Sequence, residues 1–396
     1  MISFPESACI VGAGIGGLTT ALLLAQRGVR VTVLEKRTAL TEAGAGIQLS
    51  SNASRILIDL GLGPAVSRRA VEPERMIVRS LSNGSKLTSK PLGRFFRERY
   101  GAPYWVILRG DLHDVLLTAA RSQPGIQLLV GRHVTDATDA QDHAELSLLT
   151  AGGTRQTLTT PLLVGADGMW SKLRSAWTQV PPPRFSGYEA WRCVIPFDSL
   201  PENLQEKQVM LWLGRQAHIV HYPVAGGKTM NVIIILRSDT ANEGWGMPGN
   251  PEALERLTQE APAPLNELLQ FGGNWRVWSL FDSSVDHKWT GRHIAMLGDA
   301  AHPVLPFLAQ GGALAIEDAA VLANKLQEGP DIPSALAAYE VARKERATRV
   351  QLAARKNGRI FHLPFPLSLG RNAVMRWMGE EGLTARYDWL YSWKPD

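Results

Sequence analysis

The chain has 396 residues, of which 45% are hydrophobic and 20% are charged, a composition typical of a globular protein of about two to three domains. Its two cysteines, Cys9 and Cys193, exclude a disulfide framework, and a net charge of +5 without a Lys/Arg block argues against nucleic-acid binding. The sequence contains no long apolar run and no signal-peptide pattern, so it predicts no membrane span and favours the cytoplasm.

A strand–turn–helix–strand unit opens the chain. The run "ACIV" predicts a buried parallel strand, "GAGIGG" a glycine turn, "LTTALLLAQRG" a helix and "VRVTVLEKR" a second strand. Gly12, Gly14 and Gly17 give the GxGxxG pattern. The first glycine allows the tight turn, the second lets a pyrophosphate approach, and the third lets the helix and strand pack closely.

An acid ends the second strand of this unit. Glu35, with Lys36 beside it, is placed to accept a hydrogen bond from a ribose hydroxyl. The helix N-terminus supplies free N–H groups to the phosphates. The unit therefore predicts one dinucleotide site, for NAD or for FAD, and the alternative is a glycine-rich turn in an ordinary α/β unit.

The stretch 204–238 predicts an antiparallel meander, because the runs "QVMLWL", "HIVHYPV" and "MNVIIILR" are joined by short connections that contain glycine. Side chains alternate along a strand, so His218 and Tyr222 share one face and His221 lies on the other. The pair on the shared face either lines a pocket or belongs to an ordinary β layer. Arg192 and Arg237 are candidate anchors for a substrate carboxylate or members of structural ion pairs.

From Ala313 onward the pattern turns helical, and we expect the aromatic tail "YDWLYSW" to pack on the domain or on a second subunit. Just before this region, the stretch "LGDAAHPVLPFLAQGG" combines an acid with a glycine pair. The histidines show no metal-ligand spacing, so no metal site is predicted.

Three motifs in order, "GAGIGG", "GADGMWSKLR" and "GDAAHP", resemble the marks of the class A FAD-dependent aromatic hydroxylases. The resemblance covers nearly the whole chain. Within the family, "GAGIQLSSNA", "RYGAPYWVILRGDLH", "HIVHYP" and "YDWLY" resemble the branch that contains 3-hydroxybenzoate 6-hydroxylase, salicylate hydroxylase and 6-hydroxynicotinate 3-monooxygenase.

The resemblance implies a non-covalently bound FAD whose adenosine half lies at 12–35 and whose ribityl chain meets Asp299. Gly311 and Gly312 then bring backbone N–H groups to the flavin and start a helix that stabilises negative charge on the ring. The other implied cofactor contacts are Gln48, Arg109, Asp167 and Pro306. The alternatives from the residues alone are a helix N-cap for Asp299 and a surface salt bridge for Arg109.

The resemblance also implies the reaction. NAD(P)H and O2 are used to hydroxylate a phenolic aromatic acid or a hydroxypyridine acid through a flavin hydroperoxide, and a base must deprotonate the ring hydroxyl. His218 and Tyr222 are the predicted groups on that hydroxyl, and Gln310 is a predicted contact of the substrate or the peroxide. His302 is expected to have a structural role, and Arg174 to support Asp167. The alternative functions are a flavin oxidase or dehydrogenase of the same fold and a nucleotide-binding protein without turnover.

The predicted fold class is α/β, with a Rossmann-like FAD-binding domain, an inserted mainly antiparallel β-sheet that lies over the flavin, and C-terminal helices. We expect a monomer or a homodimer. The predicted divisions are an FAD-binding domain of 1–75, 100–180 and 275–350, a substrate-binding sheet of 76–99 and 181–274, and a tail of 351–396.

Overall fold

The structure is a computed structural model that describes residues 4–40, 45–178, 180–241 and 246–395. Its strands, in chain order, are β1 (Ser7–Val11), β2 (Arg30–Glu35), β3 (Gly46–Leu49), β4 (Arg75–Ser80), β5 (Lys86–Pro91), β6 (Trp105–Leu108), β7 (Ile126–Val130), β8 (Arg132–Asp139), β9 (Ala144–Thr150), β10 (Arg155–Thr160), β11 (Leu163–Gly165), β12 (Arg184–Pro196), β13 (Val209–Leu213), β14 (Ala217–Val224), β15 (Thr229–Arg237), β16 (Met247–Pro248), β17 (Arg276–Asp282) and β18 (Ile294–Met296).

The helices alternate with these strands in the first half of the chain and dominate its end. In chain order they are α1 (Ile15–Ala25), α2 (Ser51–Asp59), α3 (Gly63–Ser67), α4 (Gly93–Tyr100), α5 (Arg109–Ser122), α6 (Lys172–Trp177), α7 (Pro251–Glu260), α8 (Leu265–Gln270), α9 (Gly311–Glu328), α10 (Ile332–Phe361), α11 (Leu367–Ala385) and α12 (Asp388–Tyr391).

A parallel sheet forms the nucleotide side of the molecule. Its five strands lie in the order β18-β11-β1-β2-β7, and β1 pairs with β2 and β11 in parallel register. Helix α1 is buried along its whole length, because it packs against α9 and α5 as well as against the sheet. The strand, glycine turn, helix and second strand predicted at the start of the chain are therefore present in that order. A separate antiparallel sheet of β8, β9 and β10, which the sequence analysis did not identify, follows β7.

A second, eight-stranded sheet has the order β16-β17-β12-β15-β14-β13-β4-β5. The meander predicted over 204–238 is its centre, with β13, β14 and β15 antiparallel. Strand β4 joins β13 in parallel, so the sheet is mainly but not entirely antiparallel. Strand β17 pairs with β12, so Arg276–Asp282 belongs to this sheet and the boundary predicted at 274/275 lies too early.

A short ribbon of β3 and β6 lies between the two large sheets. The side chain of Asn231, on β15, accepts a hydrogen bond of 2.8 Å from the backbone N–H of Gly46, on β3. A Cβ on Gly46 would lie 2.6 Å from Asn231 Cγ, so only glycine permits this close approach. The ribbon therefore connects the nucleotide side of the molecule to the large sheet.

The C-terminal helices pack on their own chain, which is one of the two arrangements that the sequence left open. Helix α10 is a single helix of 30 residues, so the boundary predicted at 350/351 falls inside it and is wrong. The ring of Tyr391 lies 5.0 Å from the ring of Phe96, on α4. Arg346 donates hydrogen bonds to the carbonyls of Trp389 and Leu390. Across the described ranges, no helix is long and apolar enough to cross a membrane.

Candidate functional site

The glycine turn after β1 shows why each of its three glycines is needed. Gly12 has φ +107°, and a Cβ there would lie 2.3 Å from the carbonyl oxygen of Ala166. A Cβ on Gly17 would lie 2.0 Å from the carbonyl oxygen of Gly12, so this glycine allows α1 to pack on the turn. A Cβ on Gly14 would meet no atom within 4 Å, so the backbone at Gly14 faces open space where a phosphate can approach.

The acid at the end of β2 is bound to this turn. The Glu35 carboxylate accepts hydrogen bonds of 3.0 Å from the backbone N–H of Ala13 and of Arg37, and the Arg37 side chain lies 3.1 Å away. Burial opposes its ionisation, but these hydrogen bonds and the Arg37 charge outweigh burial and lower the pKa. Lys36, the other predicted contact here, is exposed.

Two loops meet at the carboxyl end of the parallel sheet. One follows β11 and carries Asp167, and the other follows β18 and carries Asp299. Arg174 joins them, because its guanidinium donates to the carbonyls of Asp299 and Ala300 and also to that of Met169. The expectation that Arg174 supports Asp167 therefore takes a concrete form: Arg174 holds the two acid-bearing loops together.

The two acids differ in what they contact. Asp167 accepts from the backbone N–H of Lys172 at 2.9 Å, at the start of α6, and its pKa is raised by burial. The Asp299 side chain faces the open cleft, and no hydrogen bond to it occurs among the residues that the structure describes. It is therefore not a helix N-cap. Desolvation by the surrounding loop raises its pKa, while the neighbouring side chains of His302, Arg109 and Arg174 act in the opposite direction.

Helix α9 begins at the same cleft. Gly311 and Gly312 form its first turn, and a Cβ on Gly312 would meet no atom within 4 Å. The free N–H groups of the helix N-terminus are thus sterically accessible. Gln310 is turned inward, because its amide bonds Asn52 and the Ser50 hydroxyl at 3.0 Å each. The Gln310 side chain does not line the cavity, and its contact with the substrate or the peroxide stays a prediction.

A network of buried charged side chains joins α9 to α10 and to the Asp299 loop. Asp318 binds His302 at 2.5 Å and the Arg343 side chain at 2.7 Å, and it also accepts from the backbone N–H of Gly298. Glu317 binds Arg343 at 2.8 Å. His302 therefore has the structural role predicted for it, because it fixes the Asp299 loop to α9.

A cavity of about 150 Å³ lies between the large sheet and the loop at 306–309. An engineered apolar cavity of about this volume holds one benzene ring, so the space fits a single-ring compound. A larger surface groove of about 1220 Å³ near His287 contains none of the predicted site residues. The polar and charged residues that line the cavity are Gln48, Thr88, Lys90, Tyr104, His218, Asn357, Arg386, Tyr387 and Tyr391.

His218 lines this cavity and has a partner that the sequence did not reveal. Its Nδ1 lies 3.1 Å from Nε2 of His362, which follows α10. When His218 donates this hydrogen bond from Nδ1, its Nε2 is left as a proton acceptor. Burial, and then the neighbouring His362, lower the pKa of His218 well below the ordinary value. The imidazole is therefore neutral at pH 7, which a general base requires.

Tyr222 lies on the same strand face, beside a pair of polar residues at the cavity. Tyr104 donates a hydrogen bond to the side-chain oxygen of Gln48. Burial raises the pKa of Tyr222 above its ordinary value, although Arg192 and a hydrogen bond with Gln48 oppose this rise. His221 lies on the opposite face, where it accepts from the indole N–H of Trp212 at 3.1 Å. The alternation predicted for this strand is thus what the structure shows.

Several predicted residues meet in one region and others do not. Pro306, Gln48 and His218 line the cavity, whereas Tyr222 is fully buried and does not line it. The two candidate carboxylate anchors do not line it, because Arg192 stacks on the Trp278 ring at 5.2 Å and Arg237 on the Tyr188 ring at 5.9 Å. The functional candidates that the sequence analysis missed are Lys90, Tyr104 and His362. Among the described residues, no group of three His, Cys, Asp or Glu side chains is arranged to hold a metal ion.

Comparison with known proteins agrees with this geometry. The family model described as "FAD binding domain" matches residues 6–354. The chain is 36% identical to 3-hydroxybenzoate 6-hydroxylase 1 of Aquipseudomonas alcaligenes over 96% of both chains. It is 37% identical to a 3-amino-4-hydroxybenzoate 2-monooxygenase of Streptomyces platensis, over 90% of this chain and 88% of that protein.

Two solved structures have the same fold. A salicylate hydroxylase in complex with substrate superposes with a TM-score of 0.81 and 24% identity, over 99% of this chain and 96% of that one. Klebsiella pneumoniae HpxO, complexed with FAD and uric acid, superposes with a TM-score of 0.84 and 25% identity, over 98% and 97% of the two chains.

The chain therefore belongs to the FAD-binding family of class A aromatic hydroxylases. It is an enzyme, an FAD-dependent monooxygenase, and it is similar over nearly its whole length to 3-hydroxybenzoate 6-hydroxylases. The residues present fit this cofactor: Gly14 leaves room for a phosphate, the N-terminus of α9 is open at Gly312, and Asp299 faces the cleft between them.

Proposed function

We propose that this enzyme hydroxylates a single-ring aromatic acid that carries a phenolic hydroxyl, with NADH or NADPH as the electron donor. The observation that carries the proposal is the placement of a neutral, buried histidine, His218, on the wall of a cavity of about 150 Å³. A ring hydroxyl must lose its proton before the ring becomes nucleophilic enough to accept an electrophilic oxygen. A neutral imidazole in a space of one-ring size meets that requirement.

The chain's own residues would act in the following way. His218 Nε2 takes the proton of the ring hydroxyl, and the hydrogen bond from Nδ1 to His362 keeps the ring of His218 in the required tautomer. Gln48 and Tyr104, which line the cavity, would hydrogen-bond the substrate, and Tyr222, which is buried beside Gln48, would hold the Gln48 side chain in place. Aromatic and aliphatic walls exclude water, which strengthens these polar contacts. When bound, FAD reduced by NAD(P)H would supply the chemistry that activates O2, of which one atom is transferred to the ring and the other leaves as water.

The cofactor would occupy the cleft from the glycine turn to α9. Gly12, Gly14, Gly17, Glu35 and Lys36 form the proposed adenosine and pyrophosphate end. The ribityl and flavin end is assigned to Gln48, Arg109, Asp167, Asp299, Pro306, Gly311 and Gly312. The proposed division of the chain keeps an FAD-binding domain around the parallel sheet and a substrate domain around the eight-stranded sheet, with 276–282 moved to the latter on the pairing of β17.

The function is tested with hydroxybenzoate isomers and hydroxypyridine acids, with benzoate as the control that lacks the hydroxyl. We expect one or more phenolic acids to stimulate NAD(P)H oxidation and to yield a product heavier by one oxygen atom. Benzoate should yield no such product, because it has no hydroxyl proton for His218 to remove. Reduction of bound FAD by the aromatic compound alone, without NAD(P)H, would instead indicate an oxidase or dehydrogenase.

A substitution at Gly14 tests the cofactor assignment separately. Gly14 has φ −78° and ψ −175°, a conformation open to any residue, and its Cβ would point into open space. Gly14→Val should therefore leave the apoprotein as stable as the wild type but weaken FAD binding at least about 100-fold, by blocking the pyrophosphate. The measurements are thermal unfolding of the apoprotein and titration with FAD followed by flavin fluorescence.

Gly17→Ala is the matched control in the same turn. Its Cβ would lie 2.0 Å from the carbonyl oxygen of Gly12, so this variant should unfold at a lower temperature even without FAD. Unchanged FAD affinity in Gly14→Val would place the pyrophosphate elsewhere and overturn the assignment.

A further inference from the structure

We propose that Lys90 is the anchor for the substrate's carboxylate, at the opposite end of the cavity from His218. This inference rests on the proposed function, because it assumes that the ligand is an aromatic acid. In this role Lys90 would select an acid over a neutral phenol and would orient the ring toward the base. Lys90 lies on β5, far from the strand that carries His218 in the sequence.

Strand register shows where the two residues lie. Neighbouring residues on four adjacent strands form one row across the cavity floor: Val220, Leu211, Val78 and Thr88. Three strand spacings make this row about 14 Å wide. Lys90 lies two residues beyond Thr88, and His218 lies two residues before Val220, so both share the face of the row. Both line the cavity.

The two residues lie at diagonally opposite corners of that floor. Lys90 pairs with Met76, at the start of β4, whereas His218 pairs with Leu213, which is next to Ser80 at the end of β4. Each has a side chain long enough to reach inward from its corner. A compound with an acid group at one end and a hydroxyl elsewhere on the ring would lie between the ammonium and the imidazole.

Lys90 has no carboxylate partner. In the part of the chain that the structure describes, no Asp or Glu lies within 4 Å of its ammonium or lines the cavity. Its neighbours are the Tyr391 hydroxyl at 3.4 Å and the rings of Tyr387 and Tyr391 at 5.2 and 5.4 Å. Burial lowers the pKa of Lys90 to about 8, so the group is still mainly charged at pH 7. A largely buried cation without a counter-ion favours an anionic ligand.

The other cations near the site fit this role less well. Arg192 and Arg237 stack on aromatic rings and do not line the cavity. Arg386 lines the cavity but is exposed at its mouth, where water competes for the charge and an ion pair contributes little. Lys90 therefore remains as the cation whose surroundings leave it unpaired and shielded.

The test compares acids with their neutral counterparts in Lys90→Met. The probes are the hydroxybenzoate isomers and the matching hydroxybenzamides, which have nearly the same shape but no charge. We expect the variant to bind the acid about 10- to 100-fold more weakly, because a hydrogen bond to a charged group is lost, while the amide changes less than about 3-fold. Binding is read from the absorbance change of the bound FAD, and KM and kcat are measured in parallel.

Arg386→Met is the matched control and should change the affinity for the acid less than about 3-fold, since its side chain is exposed. Equal losses for acid and amide in Lys90→Met, or no loss for either, would overturn the anchor while leaving the hydroxylase function intact. A wild-type enzyme that carries FAD but hydroxylates none of the acids would overturn the proposed function and the anchor together. A larger loss of affinity for the acid in Arg386→Met than in Lys90→Met would also refute the role of Lys90.

Discussion

We expect His218→Ala to bind FAD and to be reduced by NAD(P)H as the wild type is. We expect it to form hydroxylated product about 10²- to 10⁴-fold more slowly and to release hydrogen peroxide instead. The loss has the magnitude typical for removal of a general base. A phenol that keeps its proton is a poor nucleophile, so NAD(P)H oxidation continues while oxygen transfer fails. The measurement is hydroxylated product and peroxide, determined side by side per NAD(P)H consumed.

The lowered pKa of His218 adds a pH test to this prediction. Burial and His362 hold the pKa of His218 well below the ordinary value, so the imidazole is neutral and competent over the whole neutral range. The fraction of NAD(P)H that yields hydroxylated product should therefore stay constant in the wild type between about pH 8 and about pH 6. This fraction would fall over the same range if the base were a histidine with an unperturbed pKa near 6.5. A loss of coupling centred near pH 6.5 would show that a different group acts as the base.

His221→Ala is the control, because it lies on the other face of the same strand. Its Nε2 accepts the hydrogen bond from Trp212, so the variant should unfold at a lower temperature. The fraction of NAD(P)H that yields hydroxylated product should stay at the wild-type value. If His221→Ala uncouples more strongly than His218→Ala, the base has been assigned to the wrong face.

Short-range patterns in the sequence predicted the parts of the site that depend on local geometry. The period of two along β14 is enough to separate His218 from His221, and the pairing of β14 with β13 and β15 keeps that register. The GxGxxG turn is equally local, because each glycine answers a steric demand within one strand–turn–helix unit. In both cases the residues that matter lie within about a dozen positions of each other.

The missed residues depend on contacts between distant segments. His362 reaches His218 across 144 positions of the chain, and no spacing rule links the end of α10 to β14. Lys90 belongs to β5, an edge strand that reaches the site through β4 and its parallel pairing with β13. Tyr104 lies in a stretch that supported the family resemblance but has no pattern of its own. Such residues are found only when the strand order is known.

Two differences from the sequence-based expectations have the same physical origin. The resemblance predicts that Gln310 contacts the substrate or the peroxide, but its amide is hydrogen-bonded to Ser50, which precedes α2, and to Asn52, on α2. Buried amides take the partners that the tertiary fold supplies. Likewise, helix α10 continues past position 351 because its buried face packs against α9 and the loop at 306–308, and neither contact is visible from helical periodicity.

Arg343→Met is expected to destabilise the folded protein strongly. Arg343, Glu317 and Asp318 are fully buried, and the arginine is bound to both acids at 2.8 and 2.7 Å. Removal of one partner from a buried ion pair typically costs about 3–5 kcal/mol, because the remaining charge is left in a poorly solvating environment. His302 and Arg346 still contact the acids, so we expect a value near the lower end, measured as the free energy of unfolding or the fall in Tm at pH 7.

The pH dependence identifies the cause of that loss. Burial would raise the pKa of Asp318 above its ordinary value of 3.8, but His302 and Arg343 outweigh burial and lower it to about 2. In the wild type this stabilisation is present above pH 3.8 and is lost as the pH falls toward 2. Without Arg343 the carboxyls take up protons at higher pH, so the deficit of Arg343→Met should be largest at neutral pH and should narrow as the medium becomes more acidic.

Arg355→Met provides the comparison on the same helix, because Arg355 pairs with Asp282 at 2.7 Å but both side chains are partly exposed. An exposed pair contributes about 0–1 kcal/mol, so this variant should lose little stability at any pH. If Arg343→Met were no less stable than Arg355→Met, the network would be no structural support for α9. Asp318 also accepts a hydrogen bond from the backbone N–H of Gly298, so loss of its Arg343 partner should loosen the Asp299 loop, and FAD should dissociate from Arg343→Met faster than from the wild type.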